Sequence, residues 1–485
     1  MKKQNSRLLD ILPLVFILLL ALVLRLYKID TPLADLHSWR QADTAAVARN
    51  YVRDGVDLLH PRYDDLSGRE AGRENPQGYR MVEFPLYNSL FAYTYKLLPV
   101  LPLEVYGRLT SIFFSLIIIA IIYFLLLKEA NRLSAVLAGT FYAVFPFFVF
   151  FSRVILPETT AVALMFISIL FLYLYSHKNV SRLKESAYFI FSLIFFSLSL
   201  LVKPTVIFYA VVLVYLFLKK DGLKSALKVT SYIYFIFGLI PLILWRLYIK
   251  NFPEGVPVSD WLITSVNTYE GLKSIFLRPA FFRWIFFERI NNLILGGYAT
   301  FFFCLGLIRK PRRYFFHSFL LSGLIYLLVF EGGNVQHEYY QILILPPLAI
   351  FSGLGIEFIL TKTKTLFQPL ITYMTIISIT IFSLLFSFYK VRDYYNFPQD
   401  LPQIAKIIET LTHKDDKIVT DTTGDTTLLY LAKRRGAPAL YKDPATLGRL
   451  GYVYMIIFNK DYTKDLKSKN FVTIFENDNF AIFKL

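Results

Sequence analysis

The sequence predicts a polytopic α-helical membrane protein, with helices in its outer loops and a small α/β domain at its C-terminal end. Three observations predict the class. Of 485 residues, 55% are hydrophobic and only 18% charged, where a soluble domain carries about 25% charge. Mean hydropathy is +0.49. Apolar runs of roughly 20 residues, the length that crosses a bilayer, recur as far as Tyr389, and beyond Lys390 short β-type runs alternate with amphipathic ones. This divides the chain into a membrane part, residues 1–389, whose first outer loop is residues 28–83, and an extracytoplasmic part, residues 390–485.

The first run, Ile11–Tyr27, follows a basic start and has no small-residue cleavage site after it. It reads as an uncleaved first span rather than a signal peptide. Phe84–Pro102 is apolar but broken by Pro85 and Pro102, and reads as re-entrant or interfacial. Clearer spans follow at about Val105–Leu127, Leu133–Phe151, Pro157–Tyr175, Ala187–Val202, Pro204–Leu218 and Val229–Ile249, and after the polar stretch Lys250–Glu288 at Asn292–Ile308, Tyr314–Phe330, Tyr339–Leu360 and Phe367–Tyr389. The count is about eleven.

Basic residues in short loops mark the cytoplasmic side. Lys2, Lys3 and Arg7 place the N-terminus there. The alternate loops are basic as well: Lys128 and Arg132; His177, Lys178, Arg182 and Lys184; Lys219, Lys220 and Lys224; Arg309, Lys310, Arg312 and Arg313; Lys362 and Lys364. The first loop, Lys250–Glu288, Glu331–His337 and the tail then lie outside a plasma (inner) membrane. In the tail, Leu401–Leu411 and Asp425–Lys433 read as helices, and Lys417–Thr420, Tyr452–Phe458, Phe471–Phe475 and Phe480–Phe483 as strands.

These loops account for the net charge of +17, and nucleic acid is not expected as a partner. The one cysteine, Cys304, excludes an intrachain disulfide and a cysteine-based metal site. There is no HExxH, no DxD and no phosphate-binding glycine fingerprint, so no metal or nucleotide is expected to bind directly.

Chemistry concentrates in Asp35–Asn50, DLHSWRQADTAAVARN, just past the first span. Thr44–Val52 reads as a short helix on the membrane surface, and Asp43 or Thr44 falls where an N-cap belongs. Asp35, in the loop after Thr31-Pro32, has no local structural task and is a candidate catalytic acid. Asp43 is divided between capping and chemistry. His37, Arg40, Gln41 and Arg49 are candidate substrate ligands, although His37 and Trp39 can equally anchor the loop at the interface. Glu83 directly precedes a proline-led apolar run, where an unpaired carboxylate is costly, so it is either solvated or faces a polar cavity. Asp64-Asp65 reads as a solvated turn. His337, Glu338 and Tyr339 stand at an outer helix end, as headgroup ligands or as a tyrosine belt. Arg153 and Lys203, with Glu158, fall at outer ends against the positive-inside trend, which suggests an anion such as a lipid phosphate; snorkelling is the alternative.

HSWRQADTAAVARNYVRDG, VEFPLY and HEYYQILILPP resemble three segments of the GT-C membrane glycosyltransferases, in the branch of the protein O-mannosyltransferases and aminoarabinose lipid A transferases (glycosyltransferase family 39). The resemblance covers roughly residues 8–388. It implies an inverting transferase that takes a sugar from a polyprenyl-phosphate donor to a lipid, glycan or protein acceptor, without cofactor or metal at the reacting centre. It also implies a catalytic acid at Asp35, with Asp43 as the other candidate, and a second acid at Glu83. The branch usually carries an Asp-Glu pair at the start of this loop, where this chain reads Asp-Leu-His. A flippase of lipid-linked sugars would place ionisable residues near mid-span and show paired repeats; here they cluster at outer helix ends. A glycan ligase or polymerase would use the same donor class.

Overall fold

The computed structural model describes residues 2–177, 181–257, 278–310, 313–362 and 369–485. Most of the polar stretch Lys250–Glu288, together with Lys178, Arg312, Lys364 and the first residues of the span expected from Phe367, lies outside them. The chain forms two compact units. One comprises Met1–Ile29, Arg108–Leu244 and Trp261–Tyr394, and the other Asp30–Gly107, Trp245–Asp260 and Tyr395–Leu485.

The first ten helices are α1 (Lys2–Arg25), α2 (Ser38–Asp54), α3 (Leu86–Leu97), α4 (Leu103–Glu129), α5 (Arg132–Val144), α6 (Pro146–Phe151), α7 (Glu158–Tyr175), α8 (Arg182–Val202), α9 (Ala210–Asp221) and α10 (Val229–Tyr248). Among the described residues, seven helices are long and apolar enough to cross a membrane by length and composition. They are Leu8–Arg25, Leu103–Glu129, Glu158–Tyr175, Arg182–Val202, Val229–Asn251, Glu338–Lys362 and Pro369–Tyr395, with Arg132–Val144 and Phe315–Val329 as shorter apolar helices. Two other expected spans are interrupted. Pro204–Tyr209 is a 3-10 turn before α9, because proline cannot donate into an α-helical ladder. A π-helix, Arg283–Ile294, precedes Thr300–Ile308, with Gly296 and Gly297 at positive φ between them.

In the helical unit three buried arginines satisfy carbonyls at the end of α5, which have no helical partner, and in the turn that follows α1. Arg25 donates to Ala21 O, Ala143 O and Tyr142 O, and at 2.6 Å to Ser152 Oγ. Arg108 donates to Ile29 O at 2.7 Å, and Arg153 to Lys28 O at 2.6 Å. Elsewhere, glycine lets helices touch backbone to backbone. A Cβ on Gly355 would stand 1.8 Å from Phe302 O, and one on Gly306 1.9 Å from Phe351 O, the small-residue packing typical of membrane helices.

The tail in the other unit is a five-stranded sheet in the order β2-β1-β3-β5-β4. Its strands are β1 (Lys417–Thr420), β2 (Gly436–Ala437), β3 (Tyr452–Ile457), β4 (Thr473–Glu476) and β5 (Ala481–Lys484). β1 is parallel to β2 and β3, and β5 antiparallel to β3 and β4. Successive strand residues face opposite ways, and both faces are apolar. Ile418 and Ile456 pack with Ile404 and Ile408 of the helix Leu401–Leu411, while Val419, Met455 and Ile457 pack with Leu447 and Leu466. The first loop joins this sheet. Asp65 pairs in parallel with Gly436, Leu66 N donates to Gly436 O at 2.7 Å, and Gly436 N donates to Asp64 O at 2.8 Å. Asp64 and Asp65 are therefore buried and not the solvated turn expected from their neighbours.

Candidate functional site

α2 supplies most of the polar residues. It begins at Ser38, six residues before the expected start, and His37 precedes it at φ 57° in the left-handed region, with no side-chain cap. Its alanines favour helix, and Gly55 at φ 97° ends it. Asp43 therefore sits inside the helix and caps nothing. It points at partners far along the chain: Arg80 at 3.0 Å from Oδ2, and Thr426, whose hydroxyl donates to Oδ1 at 2.6 Å. Burial pushes the Asp43 carboxyl up to about 6, Arg80 pulls it back down, Glu70 adds to the rise, and the Thr426 hydrogen bond and Arg40 oppose it.

Asp35 is 3% exposed. Gln41 Nε2 donates to its Oδ1 at 2.8 Å and to Leu36 O at 2.9 Å, which folds the loop back onto the first turns of α2. Glu83 forms an ion pair with Arg40. Arg49 is committed to structure: it pairs with Asp64, donates to Tyr430 O at 2.6 Å and lies 4.3 Å from the Tyr430 ring centroid. Asp35, Arg40, Gln41, Asp43 and Glu83 thus all lie in the loop-and-tail unit, in three polar groupings: Asp35 with Gln41, Glu83 with Arg40, and Asp43 with Arg80 and Thr426.

The other expected ligands belong to the helical unit. Lys203 Nζ is 2.8 Å from Glu158 Oε1 and 5.7 Å from the Tyr340 ring centroid. His337 stacks on Tyr339, with centroids 5.2 Å apart and planes at 9°. Glu338 pairs with Arg289, whose guanidinium lies 5.0 Å from the Trp284 ring centroid. Arg153 is occupied with the carbonyls of Tyr27 and Lys28, just past α1.

Sequence reasoning missed Arg80, Thr426 and Asp65. Arg80 stood three residues before Glu83, a cation beside an acid, and could have been noticed. Thr426 lies 383 residues from Asp43, and nothing local marks it.

The chain superposes on ArnT from Cupriavidus metallidurans bound to undecaprenyl phosphate, with TM-score 0.66 over 97% of both chains at 12% identity. It has the ArnT-like GT-C fold. The same GT-C fold is shared with the archaeal oligosaccharyltransferase AglB from Archaeoglobus fulgidus, in complex with an inhibitory peptide and a dolichol-phosphate (TM-score 0.53, 12% identity, 93% of this chain and 69% of that one). It is also shared with the arabinofuranosyltransferase AftD from Mycobacteria (TM-score 0.50, 16% identity, 92% and 36%). The family model for dolichyl-phosphate-mannose-protein mannosyltransferase matches residues 85–245. No curated protein sequence matches the chain. The family match and the fold support glycosyltransferase activity in an integral membrane protein.

Proposed function

We propose that this chain moves a sugar from a polyprenyl-phosphate-linked donor to an acceptor hydroxyl at the outer face of the membrane, with inversion at the anomeric carbon. The observation that carries the reading is the pair of held carboxylates from the first loop, buried Asp35 held by Gln41 and half-buried Glu83 by Arg40, in a fold whose solved example ArnT binds undecaprenyl phosphate. In this reading Asp35 takes the acceptor hydroxyl proton as the oxygen attacks the anomeric carbon. The bond from that carbon to the phosphate oxygen breaks, and polyprenyl phosphate leaves. Asp43, with both oxygens engaged by Arg80 and Thr426, is the weaker candidate for base. Glu83, fixed by Arg40, orients the acceptor or donor sugar. In the helical unit Lys203, set in place by Glu158, and His337 are its candidates for meeting an anionic headgroup, with Tyr339 and Glu338 beside His337 in the chain.

The N-terminus is cytoplasmic and the tail extracytoplasmic in this proposal, following the basic loops. The test is mass spectrometry of envelope glycolipids and glycoproteins from cells with and without the gene, complemented by Asp35→Asn, Asp43→Asn and Glu83→Gln. Loss of one glycoform on deletion, restored by wild type and not by Asp35→Asn, supports the reading. Full restoration by Asp35→Asn moves the base to Asp43, and unchanged glycan profiles on deletion overturn the transferase.

A further inference from the structure

Two open cavities of the loop-and-tail unit lie at the carboxyl ends of parallel strands. Residues 64–66, β2 and β1 run side by side in one direction, and the segments leaving their carboxyl ends carry Arg69 and Glu70, Leu440 and Tyr441, and Asp421 to Asp425. Two openings of 360 and 390 Å3 sit among these segments, and both are lined by Arg69 and Thr423. Together they form one groove, each part of a size typical of small-molecule sites, about 300–1,000 Å3. In open sheets with parallel strands, ligands enter at the carboxyl ends because the loops there are free to carry chemistry.

We propose that this groove binds a neutral saccharide of the acceptor, which makes the acceptor a glycan. The proposal rests on the transferase reading above. Trp39 lines one part and Tyr441 the other, supplying flat apolar faces that a sugar ring can cover. Between them stand acceptors and donors for hydroxyls: the carboxylates of Asp65 and Asp425, the Thr423 hydroxyl and the Arg69 guanidinium. Asp65 is the most telling of these. It is 2% exposed yet lines the groove, and on the protein side its carboxyl is met by Ser67, through the backbone N–H to Oδ1 at 2.7 Å and through the side chain. Gly424, at φ +106°, keeps the opposite wall low: a Cβ there would stand 2.7 Å from Arg69 Nη1. An extended peptide is disfavoured as occupant. Such a peptide docks by adding a strand to a free edge, and residues 64–66 already hold the edge of β2.

The experiment uses the full chain in lipid nanodiscs. Saturation-transfer NMR is recorded with neutral hexose and pentose trisaccharides and with tetralysine as counter-probe. Undecaprenyl phosphate binding is followed separately by native mass spectrometry. The expected result is binding of at least one trisaccharide, weakened about tenfold by Arg69→Ala and Trp39→Ala and within about threefold of wild type in Trp39→Phe. Arg69 is exposed, so its variant tests the groove without a folding penalty. Failure of every trisaccharide to bind, in protein that still binds undecaprenyl phosphate, overturns the proposal, as does trisaccharide binding indifferent to Arg69→Ala, or binding of tetralysine alone. Trisaccharide binding without undecaprenyl phosphate binding upholds the groove and removes the lipid-donor reading instead.

Discussion

Replacing Asp65 by asparagine should stabilise the protein at alkaline pH and flatten its pH dependence. Burial raises the Asp65 carboxyl from 3.8 to about 7, while hydrogen bonds with Ser67 oppose the rise. The folded state therefore holds a proton that the unfolded chain has already released. Between about pH 4 and pH 7 the unfolded state binds fewer protons at this site than the folded one, so stability falls as pH rises. The gap is about 3 pH units, and at about 1.36 kcal/mol per unit the loss approaches 4 kcal/mol. Asparagine keeps an oxygen for the Ser67 amide and carries no charge, so Asp65→Asn should match wild type near pH 4 and exceed it by up to that amount at pH 8. Thermal unfolding followed by intrinsic fluorescence of the purified protein in one detergent, at pH 4.5, 6 and 8, reads the difference. A wild-type midpoint that is flat or rising over this range, or an equal slope in Asp65→Asn, refutes the reasoning. A more stable variant with weaker saccharide binding would mark Asp65 as a residue kept for function at the expense of stability.

Asp35→Asn should lower transfer by about 10²- to 10⁴-fold, the usual contribution of a general base, while undecaprenyl phosphate still binds by native mass spectrometry; a loss under tenfold argues against Asp35. Gly355→Ala should cost about 1–3 kcal/mol or more by forcing Leu345–Lys362 away from Thr300–Ile308, seen as a lower unfolding midpoint, and Gly424→Ala should also lower it, through backbone strain at φ +106° more than through its Cβ, which meets the end of an arginine side chain. Arg25→Met should leave the carbonyls of Tyr142 and Ala143, at the end of α5, without their donor, at about 1–3 kcal/mol for each polar group orphaned; unchanged thermal stability would show that water replaces it. In a Cys304→Ser background, a cysteine at Lys464 should react with an impermeant maleimide added to intact cells and one at Lys128 should not, and the reverse would invert the proposed topology.

The membrane part was legible because lipid selects for length and apolarity, which the sequence displays directly. The tail strands were legible too. Lys417–Thr420 and Leu401–Leu411 fall where their patterns place them, because alternation and helical spacing are local signals. β2 was not, since two residues carry no pattern and Gly436 is in the sheet for another reason: a Cβ there would stand 1.8 Å from Ile418 O. The start of α2 was missed because His37 takes a left-handed conformation with no side-chain cap, so the usual boundary signal is absent. Asp43 looked like a cap because its true partners, Arg80 and Thr426, are brought to it only by the fold. The candidate ligands were found as types of residue. Which of them are spent on structure, as Arg49 and Arg153 are, required the coordinates.

The hydrogen bond from Thr426 to Asp43, with the strand made by residues 64–66, also sets a clock. Its two ends are separated by 383 residues. At about 5–20 residues per second of synthesis, the loop waits roughly 20 to 80 s for the tail that completes its sheet. During that interval Asp43 has no Thr426 and residues 64–66 have no β2. Biogenesis of this protein therefore includes a long-lived half-built state with an open strand edge, in which a truncated chain, a stalled ribosome or a missing chaperone would do its damage.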